Sequence, residues 1–340
     1  MGMAWAETII AEERTPRIQG VTLDAVSDPG MEVFVELQAL GVTHVTVIPY
    51  GFTPRDGPME LRFNTDARWF TESDAGIRTI DARLDSLGMN LIIKPQLWLG
   101  RSGWTGELAF DTEEAWQRWE EQYSTWMLHY ANLATSVDAA MLVIGTELGA
   151  FTQARPDFWR SLITDVRAVY AGPVTYAGNW YGDYDQVTFW DALDYIGVQA
   201  YFPLSTDPNP TDEAVQAAWA AHRDALATLS ATANRPVLVT ELGYRNISYA
   251  AAEPWRWPER DETTDDEALA LQARLYEAAF STLWDEPWLA GTIIWKWHGG
   301  SRHRRAGRES VGFTPQGKPA EAVLAKWYGA DREQDARVEE

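Results

Sequence analysis

Cysteine is absent from the 340 residues, which excludes disulfide bridges and thiolate metal sites and leaves the redox compartment undetermined. Basic residues are scarce. Lys and Arg number 28 against 50 Asp and Glu, a net charge of -22, so neither nucleic acid nor an anionic membrane is expected as a partner. No stretch approaches the roughly 20 apolar residues of a membrane span. The opening MGMAWAETIIAEERTPRIQG has no basic start and no long apolar run and does not read as a signal peptide. A soluble protein is expected, either cytoplasmic or secreted after loss of a leader. No G-x-G-x-x-G or P-loop follows any candidate strand. The five histidines, His44, His129, His222, His298 and His303, form neither H-x-H nor H-E-x-x-H, so no catalytic metal and no cofactor is expected.

What is present is apolar material and tryptophan. Hydrophobic residues make up 46% of the chain, enough for one large core. Trp outnumbers Phe, 18 to 11, a choice that bulk packing does not require and that flat faces for stacking sugar rings would. Short β-branched runs alternate with helical stretches throughout. Strands are expected at Arg17–Leu23, His44–Pro49, Asn90–Leu97, Ala140–Thr146, Pro173–Ala177, Tyr195–Tyr201, Val237–Thr240 and Gly291–Trp297, each followed by a helix or a short helical segment. Helix starts are expected at Ser27-Asp28-Pro29, at Asp111 with Glu114, and at Thr264 with Glu267. Eight strand-helix units without a linker are the count of a single-domain α/β fold, the (β/α)8 TIM barrel. The barrel would span 17–330, with a lead-in at 1–16 and a charged tail at 331–340.

Two of the strands end alike. Met141–Gly149 reads MLVIGTELG and Val237–Gly243 reads VLVTELG, each a continuous apolar run of the kind buried on both faces of a parallel sheet. Each closes on a carboxylate, Glu147 or Glu241. Catalytic side chains of such barrels stand at the C-terminal ends of the strands, and strands four and seven lie across the mouth from one another. Two carboxyl groups flanking a glycosidic bond, about 5 to 5.5 Å apart, hydrolyse it with retention. A single glutamate there would more often cap a helix or pair with an arginine, but two at matching strand ends favour the catalytic reading.

The stretches Ile93-Lys94-Pro95-Gln96, Gly103-Trp104-Thr105-Gly106-Glu107, Ile144-Gly145-Thr146-Glu147-Leu148, Val239-Thr240-Glu241-Leu242-Gly243 and Phe313-Thr314-Pro315-Gln316-Gly317-Lys318-Pro319-Ala320 resemble the retaining glycoside hydrolases of clan A. Within that clan the chain is most similar to glycoside hydrolase family 113, the β-1,4-mannanases. The resemblance implies Glu147 as acid/base, Glu241 as nucleophile and β-mannan as the leading substrate. It also implies that Tyr201, ending strand six, hydrogen-bonds the nucleophile, and that Trp295 rather than Trp297 is the sugar platform on strand eight. Two positions depart from the pattern: Thr146 stands where most of the clan has an Asn that family 113 also lacks, and Gln96 stands where His is expected. Lys94, Gln96, Trp98, Trp104, Asn179 and Trp180 are further candidates for substrate contact, with Trp255 and Trp257 on a later loop. A monomer with a carbohydrate as its partner is expected.

Other readings stay open on the residues alone. A β-glucanase or transglycosylase of the same clan would share the glutamates, whereas a catalytically inactive carbohydrate-binding barrel would need only the tryptophans. An aldolase or isomerase would need an inward lysine, and neither Lys94 nor Lys296 has an evident partner in the sequence. The loop after strand eight carries Arg302, Arg304, Arg305 and Arg308. These either recognise an anionic substituent or pair with nearby acids.

Overall fold

The computed structural model describes residues 16–53, 60–63, 69–100, 103–259, 261–300 and 310–338. The arginine-rich loop, His303 and nearly all of the N-terminal lead-in lie outside them. Eight parallel strands close a barrel in the order β1, β11, β10, β9, β8, β7, β5, β2. They are β1 (Ile18–Asp24), β2 (His44–Val47), β5 (Asn90–Ile93), β7 (Met141–Thr146), β8 (Val174–Asn179), β9 (Ile196–Gln199), β10 (Val237–Leu242) and β11 (Leu289–His298). The eight expected strands are all present. The third is shorter than expected: it stops at Ile93, because Pro95 has no N–H for the ladder. The chain then re-forms as β6 (Gln96–Leu99), which leaves the barrel and joins β3 (Tyr50–Thr53) and β4 (Arg62–Phe63) in a small sheet of order β4-β3-β6.

Helices cover the barrel: α1 (Met31–Ala39), α2 (Asp74–Ser86), α3 (Glu113–Ser136), α4 (Gly149–Ala154), α5 (Pro156–Val169), α6 (Asp212–Ala233), α7 (Asp266–Leu283) and α8 (Pro319–Val338). Three starts differ from the sequence pattern. Helix α3 is capped by Thr112, which accepts from the Ala115 N–H, and α7 by Asp265, which accepts from Ala268. Both lie one residue after the expected cap. Moving the cap forward places Glu113 and Glu114, and likewise Asp266 and Glu267, in the first turn, where the exposed N–H groups favour negative charge. Helix α1 begins at Met31, after Gly30 at φ 77°. Asp28 is engaged instead with the Gly30 N–H and with Arg83. Helix α8 runs to Val338, through most of the stretch expected as a charged tail. No helix among the described residues is long and apolar enough to cross a membrane.

Packing divides into two clusters. Ile18, Ile92, Met141, Val143, Ala177, Leu238 and Ile293 fill the barrel interior, while their strand neighbours Leu142, Ile144, Val237 and Val239 join the helices in the larger outer cluster. That alternation is the period of a strand buried on both sides. The outer cluster absorbs much of the tryptophan. Trp116, Trp119, Trp126, Trp159, Trp190, Trp219, Trp284 and Trp297 are all buried, so nearly half the tryptophans pack strand against helix rather than face solvent. Trp119, Tyr123 and Trp159 make tilted or edge-to-face contacts at 5.5 to 6.0 Å, geometries worth about 0.5–1.5 kcal/mol beyond their area.

The seam between β1 and β11 is locked by α8. The Tyr328 hydroxyl, fully buried, lies 2.9 Å from the Thr292 carbonyl and 3.0 Å from that of Gly20. Tyr328→Phe leaves those carbonyls facing a ring edge, and a loss of about 1–2 kcal/mol in urea-unfolding stability is expected. An unchanged midpoint would show that the seam holds without the hydroxyl.

Candidate active site

The strand ends carry the site, but strict alternation would not place its carboxylates. Val237 and Val239 point outward and Leu238 inward, so Glu241 should point outward with the valines. The pairing register of β10 shifts after Val239 against both neighbours. Such a bulge re-aims the next side chain, and Glu241 lines the cleft at the barrel mouth. Strand β7 also slips, between Val143 and Thr146. There Gly145 is pressed against the outer aromatics, where a Cβ would lie 2.7 Å from Trp159, and Thr146 and Glu147 face the cleft. Glu147 adopts φ 53°, a left-handed backbone that costs a non-glycine residue about 1–2 kcal/mol.

Glu241 is held from three directions. Its Oε1 accepts from the Lys94 ammonium and, at 3.1 Å, from the Gln96 amide. Its Oε2 accepts from the Tyr201 hydroxyl at 2.5 Å. Lys94 is fully buried and also donates to Gln199 Oε1 at 2.9 Å. It therefore reaches the carboxylate from behind and does not line the cleft. Burial and the charge of Glu241 push the Tyr201 phenol far above its ordinary range, so it stays a donor.

Glu147 experiences the opposite field. Burial, and then the negative charge of Glu241, push its carboxyl up to about 7, against the pull of Lys94 and the Asn179 amide. The turn beyond it is fixed by a relay. Leu148 N–H donates to the Tyr176 hydroxyl at 2.6 Å, which donates to Asp183 at 2.8 Å, and the same Asp183 oxygen accepts from the Asn179 N–H at 2.9 Å.

A cleft of about 760 Å³ joins these groups. Gln96, Trp98, Trp104, Asn179, Trp180, Tyr201 and Trp295, all candidates from the sequence, line it with both glutamates. Trp98 and Trp104 come from the β6 side. Trp180, from the end of β8, stacks on Trp255 at 4.8 Å. Trp295 faces the cleft while Trp297 is buried at 3% exposure; positions two apart share a face in a regular strand, and the register of β11 against β1 slips between Ile294 and Trp297. The lysines do have partners, contrary to the sequence reading: Lys94 has Glu241, and Lys296 has Asp24. Burial would raise Asp24, but His298 and Lys296 together hold it down to about 2.

Gln199, Tyr50 and Arg245 are among the cleft residues that were not singled out from the sequence. Gln199 ends β9 and was findable by the strand-end rule. Tyr50 sits past the end of β2, on the small sheet that the sequence pattern did not reveal. Arg245, four residues after Glu241, is 3% exposed, with its guanidinium 3.9 Å from the Phe313 ring centre and 4.9 Å from that of Trp257. Burial brings it down to about 10.

The model of Glycoside Hydrolase Family 113 matches residues 27–318. The chain belongs to that family. The family 113 β-mannanase of Alicyclobacillus acidocaldarius, solved in complex with ManMIm, superposes at a TM-score of 0.81 with 28% identity, covering 93% of this chain and 98% of its own. A complex of another family 113 β-1,4-mannanase gives 0.78 at 24% identity, covering 93% and 99%. A family 5 mannosidase from Rhizomucor miehei, at 0.63 and 13% identity over 93% of each chain, is a likeness of fold. No curated protein matches the sequence significantly. This family 113 protein is thus a glycoside hydrolase, with a carboxylate pair at the mouth of its barrel.

Removing one member of a buried ion pair strands the other, at a cost of about 3–5 kcal/mol. Lys94→Met is expected to destabilise the hydrolase on that scale, and adding Glu241→Gln to recover most of the loss. A double-mutant cycle in chemical denaturation measures the coupling, and additive losses would mean that the two side chains do not act as a pair.

Proposed function

We propose that this hydrolase cleaves β-1,4-linked mannan by double displacement, with Glu241 as nucleophile and Glu147 as acid/base. The observation that carries the reading is the unequal treatment of the two glutamates: one is clamped by three donors, and the other is pushed up to about 7 by burial and by its neighbour. A nucleophile must be anionic and aimed. A general acid must be protonated at working pH and able to lose its proton during the reaction.

In the first step Glu241 attacks the anomeric carbon while Glu147 gives its proton to the departing glycosidic oxygen, forming a glycosyl-enzyme. In the second, Glu147, now anionic, takes a proton from water as that water displaces Glu241. Lys94 acts through Glu241 as a positioning residue rather than by touching sugar. Tyr201, which cannot lose its proton in this field, keeps the carboxylate oriented between steps. Asn179 and Gln96 offer amides to sugar hydroxyls, and Trp98, Trp104, Trp180 and Trp295 offer ring faces. Mannan is favoured because two family 113 proteins of matching fold are named mannanases.

The test is hydrolysis of β-mannan, β-glucan and aryl β-glycosides, with product configuration followed by NMR. Mannan is expected to be cleaved with retention, and Glu147→Ala and Glu241→Ala to lose about 10³-fold or more. Because the acid works only when protonated, kcat/KM should fall as pH rises through about 7, where Glu147 ionises. Inversion at the anomeric carbon would overturn the mechanism, and preference for glucan would overturn the substrate. Glycan binding without cleavage would mark an inactive binding barrel.

A further inference from the structure

The small sheet beside the barrel mouth has two faces of opposite character. Strands β3 and β6 run parallel, with Tyr50 opposite Gln96 and Phe52 opposite Trp98. The intervening Gly51, Thr53, Leu97 and Leu99 are buried. A Cβ on Gly51 would lie 2.9 Å from Trp126, so that face is closed against the core. On the other face Tyr50 and Gln96 make an inner rung, and Phe52 and Trp98 an outer rung one pleat further along, about 6.6 Å away. The Tyr50 ring centre is 6.2 Å from that of Phe52 and 6.1 Å from that of Trp98, which places the three rings on one surface.

The inner rung belongs to the catalytic cleft. Both its residues line it, and Gln96 also donates to Glu241. Of the outer rung, Trp98 lines the same cleft and Phe52 carries its surface onward, yet Phe52 is 43% and Trp98 52% exposed. Two large aromatics side by side in water cost solvation that packing does not repay in the free protein, and an apolar patch continuous with a ligand cleft is where a ligand recovers it. A pyranose presents a flat C–H face of matching size and polarity.

We infer that Phe52 and Trp98 form an outer sugar subsite, a platform for a ring of the bound β-linked chain beyond the ring that meets Tyr50 and Gln96. The inference rests on the glycan-cleaving reading above. The platform favours long chains, because a short substrate that spans only the inner rung does not reach it.

The test measures kcat/KM along a series of β-1,4-manno-oligosaccharides from trisaccharide to hexasaccharide for the wild type, Phe52→Ala, Trp98→Ala and the double variant. The ratio of hexasaccharide to trisaccharide is expected to fall about 10-fold in the double variant, the scale of one stacked ring, and to be largely restored by Trp98→Phe, which keeps a flat face. A ratio unchanged in a double variant that melts like the wild type would overturn the subsite. Native gels cast with soluble β-mannan or β-glucan separate the two readings. If no manno-oligosaccharide is cleaved but β-glucan retards the wild type more than the double variant, the subsite stands and the mannan assignment falls. Equal migration of the two proteins in both polymers rejects the subsite.

Discussion

The contact between the Lys94 ammonium and the Glu241 carboxylate is the interaction on which the site depends. Both groups are removed from bulk water, and such a pair loses hydration that its mutual attraction repays only when the geometry is good and the remaining donors and acceptors are satisfied. Here they are: Gln199 takes a second proton of Lys94, and Gln96 and Tyr201 take the remaining capacity of Glu241. The partners come from the ends of β5 and β9, from β6 and from β10, so only the closed barrel brings them together. The pair in turn sets the field of the cleft. It puts a fixed negative charge beside Glu147, and that charge, with burial, keeps the second carboxyl protonated near neutrality.

Much of this was legible in the sequence because a parallel barrel writes itself plainly. Short, continuous, β-branched runs such as MLVIGT read as strands buried on both faces, and eight strand segments separated by helical stretches leave little choice of closed architecture. The rule that chemistry stands at strand ends then picks out Glu147, Glu241, Tyr201 and Asn179. It falls short where the chain departs from regularity. The apolar pattern carries on across Lys94-Pro95, hiding the break that sends β6 out of the barrel. No pattern announces the register slips in β7 and β10, because a bulge is set by how neighbouring strands pair and not by one strand's composition.

Tryptophan shows the same limit from the other side. A surplus over phenylalanine suggests sugar stacking, yet Trp119, Trp126, Trp159 and Trp219 are fully enclosed between strands and helices. Composition counts rings without locating them. What separates Trp98 from Trp126 is position relative to the small sheet: one lies on its open face, and the other packs behind Gly51. The lysines make a comparable case, since nothing local in the sequence ties Lys94 to Glu241 or Lys296 to Asp24, residues 147 and 272 positions apart.

The break at Pro95 also divides the molecule's labour. Lys94, before it, is bound into the barrel core, where any change disturbs the clamp on Glu241. Gln96 and Trp98, after it, stand on a sheet whose order, β4-β3-β6, includes no barrel strand. Replacing Phe52 or Trp98 on that sheet's open face therefore disturbs the barrel less than replacing a residue within it. Side chains such as Phe52 and Trp98 can thus alter the reach of the cleft while Lys94, Gln96 and Tyr201 keep their hold on Glu241.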